Sequence, residues 1–221
     1  MPAPLQEIYD CLLAFFGPQK WWPGDSPFEI MVGAILVQNT NWQNVAKAIA
    51  ALQAADCLSP QALDKIDQAE LEELIYPAGY FRVKSKRLRS LVRYLIDRYD
   101  GSLDAMFARD APALREELLA IHGIGPETAD SILLYAGNKP TFVVDAYTCR
   151  ILSRHGWLEP EADYHQTQDL FHDRLPADAV LFNEFHALFV QLGKQFCKKS
   201  QPKCRGCPLE PLLPAGGMCE F

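Results

Sequence analysis

The stretch LREELLAIHGIGPETADSILLYA, residues 114–136, decides the fold. Two amphipathic segments flank His122-Gly123-Ile124-Gly125, a tight turn whose glycines can adopt positive φ. Pro126 then opens a helix at its favoured first position. A turn of this kind aims backbone N–H groups at one spot beside a helix N-terminus, which makes an anion site. No Lys or Arg lies in residues 121–137, so a phosphate bound here is held by backbone donors, with His122 as the side chain able to approach it.

Helical spacing continues in both directions from this turn. Leu5, Ile8, Leu12, Leu13 and Phe16 share a face, and Ser26-Pro27-Phe28-Glu29 is a capping box that opens an apolar helix to about residue 37. Asn41 caps the next helix, and Ser59-Pro60 starts a short one. Further helices are predicted over residues 82–98, 111–120, 126–137, 144–155, 163–174 and 178–196. The one strand-like run, residues 141–144, is too short for a sheet. The chain reads as all-α. Pro, Gly and Asn cluster near residues 17–27 and 137–140, which predicts two helical lobes. Residues 28–138 form one and end in the hairpin; residues 1–27 plus 139–221 form the other, with a cysteine loop at 197–219.

With 221 residues, 49% of them apolar, the chain can bury a sizeable core. No apolar run is long enough to span a bilayer and no secretory pattern opens the sequence, so a cytoplasmic protein is expected. The net charge of −7 argues on average against a nucleic-acid binder, but the charge is uneven. Residues 82–98 hold seven basic residues and one acid, and residues 187–207 hold five basic residues and none. These segments are either solvated helix faces or a footprint for a polyanion. Four of the seven cysteines crowd the C-terminus as Cys197-x6-Cys204-x2-Cys207-x11-Cys219. Without a secretory signal this spacing reads as a metal site, iron–sulfur or zinc, before it reads as disulfides.

Eighteen residues after Glu127 comes Val143-Val144-Asp145-Ala146-Tyr147, an acid in an apolar run at the start of a helix. Asp145 is placed to cap that helix, and a capping carboxylate is also fixed in position. The hairpin, this Val-Asp motif and the terminal cysteines, in that order, resemble the helix-hairpin-helix DNA glycosylases of the endonuclease III superfamily over nearly the whole chain. The resemblance implies that Asp145 is the catalytic carboxylate and that Gly123, Gly125 and His122 meet DNA. It implies a [4Fe–4S] cluster on Cys197, Cys204, Cys207 and Cys219, although the family's last gap is shorter and Leu213 stands at the expected place; a zinc site of four cysteines is the alternative. The loop would hold Lys198, Lys199 and Lys203 against phosphates.

Strand-cleaving members carry a lysine in the helix after the hairpin, where this chain has Glu127, and a carboxylate cannot form their Schiff base. Trp21-Trp22-Pro23 and Gln38-Asn39-Thr40-Asn41-Trp42 are similar to the 3-methyladenine branch. There, aromatic residues at the positions of Trp21, Trp22 and Trp42 sandwich the flipped base, and the residue at Gln38 contacts DNA beside the hole it leaves; the plainer role for Gln38 is a helix C-cap. Alkylated purines are cationic, and stacking on indoles favours a cation by about 1–2 kcal/mol. The expectation is a monomeric, monofunctional glycosylase on damaged double-stranded DNA. Its rivals are an oxidised-pyrimidine or mismatch glycosylase and a non-catalytic DNA-binding module.

Overall fold

Nine of the twelve α-helices among the described residues start where a short polar side chain takes up a free backbone N–H. Ser26, Asn41, Ser59, Asp67, Ser102, Asp110, Asp145, Asp163 and Asp178 each accept from an N–H two or three residues on. The computed structural model describes residues 3–159 and 161–219, and no strand forms among them. The α-helices are α1 (Leu5–Phe16), α2 (Pro27–Leu36), α3 (Trp42–Ala54), α4 (Pro60–Lys65), α5 (Gln68–Leu74) and α6 (Phe81–Tyr99). They continue as α7 (Leu103–Phe107), α8 (Ala111–Leu119), α9 (Pro126–Ser131), α10 (Ala146–Arg154), α11 (Tyr164–His172) and α12 (Ala179–Gln195). None is long and apolar enough to cross a membrane.

Two compact units emerge: Trp22–Lys139, and Met1–Trp21 with Pro140–Phe221. In the first, α2 is apolar apart from Glu29 and buried over most of its length, with Met31, Val32, Ile35 and Leu36 wholly enclosed. Around it pack Val45, Ala48 and Leu52 of α3 and Leu88, Leu91, Val92 and Leu95 of α6. The Ser26 cap forms as expected, but the Glu29 carboxylate accepts from the Asp25 N–H and from Gln53 instead of closing a box on Ser26. α5 and α7 are not visible in the sequence pattern, because each is short and buries a single residue, Leu71 and Met106. The helix after the hairpin also differs from expectation: its second half, Ile132–Ala136, widens into a π turn.

The second unit has a phenylalanine core. Phe142 stacks on Phe171 at 3.6 Å between centroids, and Phe182, Phe185 and Phe189 close around them. Residues 141–144 are buried yet belong to neither helix nor sheet, so their backbone groups need other partners. α11 provides them. The Phe142 N–H donates to His172 Nε2 (2.9 Å), Gln168 Nε2 donates to the Phe142 carbonyl (2.7 Å), and the Val144 N–H reaches the Tyr164 hydroxyl (3.4 Å). Tyr164, Gln168 and His172 recur every four residues, so one face of α11 does the work of a neighbouring strand.

Candidate functional site

That polar ladder delivers the chain to Asp145, the N-cap of α10. Its Oδ1 accepts from the Thr148 N–H (2.8 Å) and the Thr148 hydroxyl (3.0 Å). Its Oδ2 lies 3.6 Å from Nε2 of His186 on α12. Burial pushes the carboxyl up, but the nearby His186 imidazole and the two Thr148 donors outweigh it and hold Asp145 below the usual carboxylate range. With one oxygen tied to the cap, Oδ2 is the oxygen left for chemistry. His186, 5% exposed, carried no role in the sequence reading; its only signal was its place in line with Phe182 and Phe189 on the apolar stripe of α12.

The same helix ends at the cysteine loop. Arg150 Nε donates to the Cys197 carbonyl (2.8 Å), and Arg154 donates to the carbonyls of Lys198 (2.7 Å) and Lys199 (3.0 Å). These two arginines, four residues apart, went unremarked in the sequence. Lys198, Lys199 and Lys203 are exposed. Cys197, Cys204 and Cys207 line a small cavity of ≈ 20 Å³ with Arg154, His155, Leu192 and Met218. Cys219 does not line it: its N–H donates to the Arg154 carbonyl and its sulfur faces Gly156, while Met218 Sδ sits 3.8 Å from Cys204 Sγ. Burial pushes the Cys207 thiol up to about 11. Among the described residues no three ligand-type side chains converge closely enough for a single ion. Three of the four expected ligands therefore surround one space, and the fourth stands outside it. Trp21, also in this unit, has Lys194 Nζ 5.6 Å from its ring centroid.

In the other unit, Trp22 meets Trp42 edge-on (5.1 Å, 90°) and lies tilted against Tyr135 (5.1 Å, 36°). Gly33 seats both indoles: a Cβ there would lie 3.4 Å from Trp22 and 3.5 Å from Trp42. Tyr135 falls on the π turn, and its position gave no sign beyond that of a core aromatic. The hairpin corrects one expectation. Gly123 has φ +87°, but Gly125 is extended at φ −97°, so only one of the two glycines uses its conformational freedom. His122 is exposed. Gln38 is not a helix cap: its Nε2 donates to the Gly123 carbonyl (3.2 Å) and Thr128 Oγ1 (2.9 Å), and its Oε1 accepts from Arg87.

The basic segment of α6 is mostly engaged inside its own unit. Lys84 is enclosed, Arg87 holds Gln38, and Arg89 donates to the carbonyls of Leu63, Asp64 and Ile66 at the end of α4. Arg98 binds Glu117, whose carboxyl is drawn down to about 2, chiefly by that arginine and then by the Tyr99 hydroxyl. The local positive charge is thus a poor measure of a phosphate footprint here.

Residues 32–177 match the family model described as HhH-GPD superfamily base excision DNA repair protein. A Methanocaldococcus jannaschii protein named as a candidate DNA repair glycosylase is 42% identical over 207 residues, 93% of this chain and 94% of its own. Endonuclease III of Thermotoga maritima is 30% identical, covering 88% of this chain and 83% of its own. Among solved structures, H. pylori 3-methyladenine DNA glycosylase bound to 1,N6-ethenoadenine superposes with a TM-score of 0.75 at 30% identity, over 86% of this chain and 95% of that one.

Proposed function

Because the chain belongs to the HhH-GPD superfamily of base excision DNA repair proteins, we propose that it is a monofunctional DNA glycosylase that releases alkylated purines such as 3-methyladenine. The observation that carries this reading is Asp145, a carboxylate kept ionised, with one oxygen fixed by Thr148 and the other beside His186. Cleavage builds positive charge on the sugar as the C1′–N bond breaks, and a fixed anion stabilises it. The bonding pair leaves with the base, which departs neutral if it was a cationic alkylpurine. Water adds its oxygen to C1′, and its proton passes to Asp145 and on to solvent.

The choice of base is supported by the Trp22–Trp42–Tyr135 cluster, whose π faces suit a cationic purine, and by the likeness to the H. pylori enzyme. Trp21 is proposed to join them in contacting the base. Absence of strand cleavage is supported by Glu127 standing where a Schiff-base lysine would be needed. His122, Gly123 and Gly125 of the hairpin, with Lys198, Lys199 and Lys203, are proposed to grip the phosphates of double-stranded DNA, the protein acting as a monomer. The cysteine loop would hold a [4Fe–4S] cluster through Cys197, Cys204 and Cys207, with Cys219, whose sulfur faces Gly156 outside their cavity, turning in as the fourth thiolate. The spacing of the first three cysteines, similar to the family's iron–sulfur loop, supports a cluster over a single zinc ion. Bound there, the cluster supplies a structural cross-link.

The test is incubation of the purified protein with alkylated duplex DNA and identification of the released bases, alongside Asp145→Asn. Asn caps helices as well as Asp does, so this variant keeps the fold of α10 and loses only the charge. Release of 3-methyladenine by the wild type, lost in the variant, with no borohydride-trapped adduct, supports the reading. Excision of oxidised pyrimidines instead would overturn the substrate, and a trapped adduct would overturn the monofunctional assignment. Binding without any base release would leave a DNA-binding module.

A further inference from the structure

Two cations of α6 turn toward the hairpin's foundations, Lys84 buried and Arg87 half-buried. Lys84 Nζ, 1% exposed, donates to the carbonyls of Leu36 and Ala78, each at 2.8 Å. Leu36 ends α2 two residues before Gln38, so the ammonium fixes the backbone that carries Gln38. Arg87 follows three residues later on the same face of α6. Its stem lies flat on Gly123, where an added Cβ would come within 2.3 Å of the Arg87 Cγ. Its guanidinium donates to Gln38 Oε1, and Gln38 Nε2 in turn donates to the Gly123 carbonyl and Thr128. Both ends of the Gln38 amide are engaged. The Gly123 carbonyl is thereby held on an internal donor, where its lone pairs cannot oppose an anion at the turn.

We propose that Lys84, Arg87 and Gln38 are positioning residues for the hairpin's hold on DNA phosphates, acting through Gly123 without touching phosphate themselves. This rests on the reading of the hairpin as a DNA grip. It assigns the two inward cations a function opposite to their appearance in the sequence: they set affinity through geometry rather than through counterion release. A cation that contacts phosphate contributes about one unit to the slope of log K against log salt, whereas a positioning cation changes K and leaves the slope alone.

The experiment measures binding of the full-length protein to an undamaged duplex, and to one carrying a stable abasic analogue, across a salt series. The variants are Arg87→Met, Gln38→Leu, their combination, and Lys84→Met. Arg87→Met keeps the stem over Gly123 and removes a buried Nε–H that has no acceptor among the described residues, so it is expected to fold. Each single variant is expected to weaken binding by about tenfold with the salt slope unchanged, and the double by no more than the worse single, since both act through one amide. Single-turnover base release by Arg87→Met and Lys84→Met at saturating enzyme is expected to stay within about threefold of wild type, and Gln38→Leu is read by binding alone.

A slope lower by about one for each cation removed would make these direct phosphate contacts and overturn the proposal. Additive losses or unchanged affinity would also overturn it. If Lys84→Met fails to fold, the Arg87–Gln38 cycle carries the test alone. A wild type that binds DNA but releases no base sinks the glycosylase reading and leaves this inference standing; unaffected variants of an active enzyme do the reverse.

Discussion

The hairpin turn and the extended segment at residues 141–145 are both irregular stretches that hold functional groups, and they are braced by opposite chemistry. Charges brace the hairpin. Arg115 and the wholly buried Asp130 pair across its flanking helices at 2.7 and 3.1 Å, and Lys84 and Arg87 support it from α6. Neutral groups brace the extended segment: an imidazole accepting a backbone N–H, an amide and a phenol. The difference follows from what each stretch presents. Backbone N–H groups that meet an anion tolerate buried cations behind them. In the proposed function Asp145 stabilises a developing positive charge, which a permanent cation beside it would weaken; Thr148 holds one of its oxygens and the His186 imidazole lies 3.6 Å from the other.

If charge braces the hairpin, the largest loss of stability comes from Asp130→Ala. It removes the bidentate carboxylate from Arg115, which is only 21% exposed, and the expected cost is about 3–5 kcal/mol in chemical denaturation. A loss below about 1 kcal/mol would break the comparison on the hairpin side. Next comes Gly123→Ala. At φ +87° any side chain is strained, and the new methyl must displace the Arg87 stem, so about 2–3 kcal/mol is expected together with weaker DNA binding.

Much of the hairpin was legible because its signals are local. Proline at the first helical turn, the glycine-bearing turn and caps such as Ser59 and Asp145 act within three residues of themselves. The bracing was not legible, because most of its partners lie 15 to 90 residues apart, as in Arg115 with Asp130, Val144 with Tyr164 and Gln38 with Thr128. A signal existed nonetheless. Lys84 stands in helical register with Leu88, Leu91 and Leu95, and His186 in register with Phe182 and Phe189. A polar residue on an apolar stripe is buried with a partner, and its charge cannot be counted as surface charge. Counting all seven cations of residues 82–98 as one face overlooked this. The short α5 and α7 escaped because one buried residue makes no period.

On the neutral side the expected effects are smaller. His172→Phe keeps the stack on Phe182 (5.5 Å, 23°) but leaves the Phe142 N–H without its acceptor, at a cost of about 1–3 kcal/mol. Hydrogen exchange at the Phe142 amide should quicken, and base release should fall because Asp145 lies three residues on. His186→Phe tests the imidazole beside Asp145. In the wild type, the lowered carboxyl of Asp145 contributes stability that is present above the ordinary carboxylate pKa and lost as pH falls through the lowered value. Without His186, burial is less well opposed and the carboxyl rises. Acid destabilisation should then begin at higher pH, and the acid limb of base release should move up with it. An unmoved limb would mean that Thr148 alone sets the ionisation.

The smallest change in stability is expected at Gly125, and it separates folding from binding most cleanly. The residue is extended, exposed, and has nothing within 4 Å of an added Cβ, so Gly125→Ala should alter stability by less than about 0.5 kcal/mol. Yet a methyl on the outer face of the turn occupies space that a phosphate needs in order to reach the backbone donors. The expected outcome is an unchanged melting curve with weakened DNA binding, whereas Gly123→Ala loses both. If Gly125→Ala binds as tightly as the wild type, phosphate does not approach this face of the turn. The hairpin's charged bracing would then serve the fold alone.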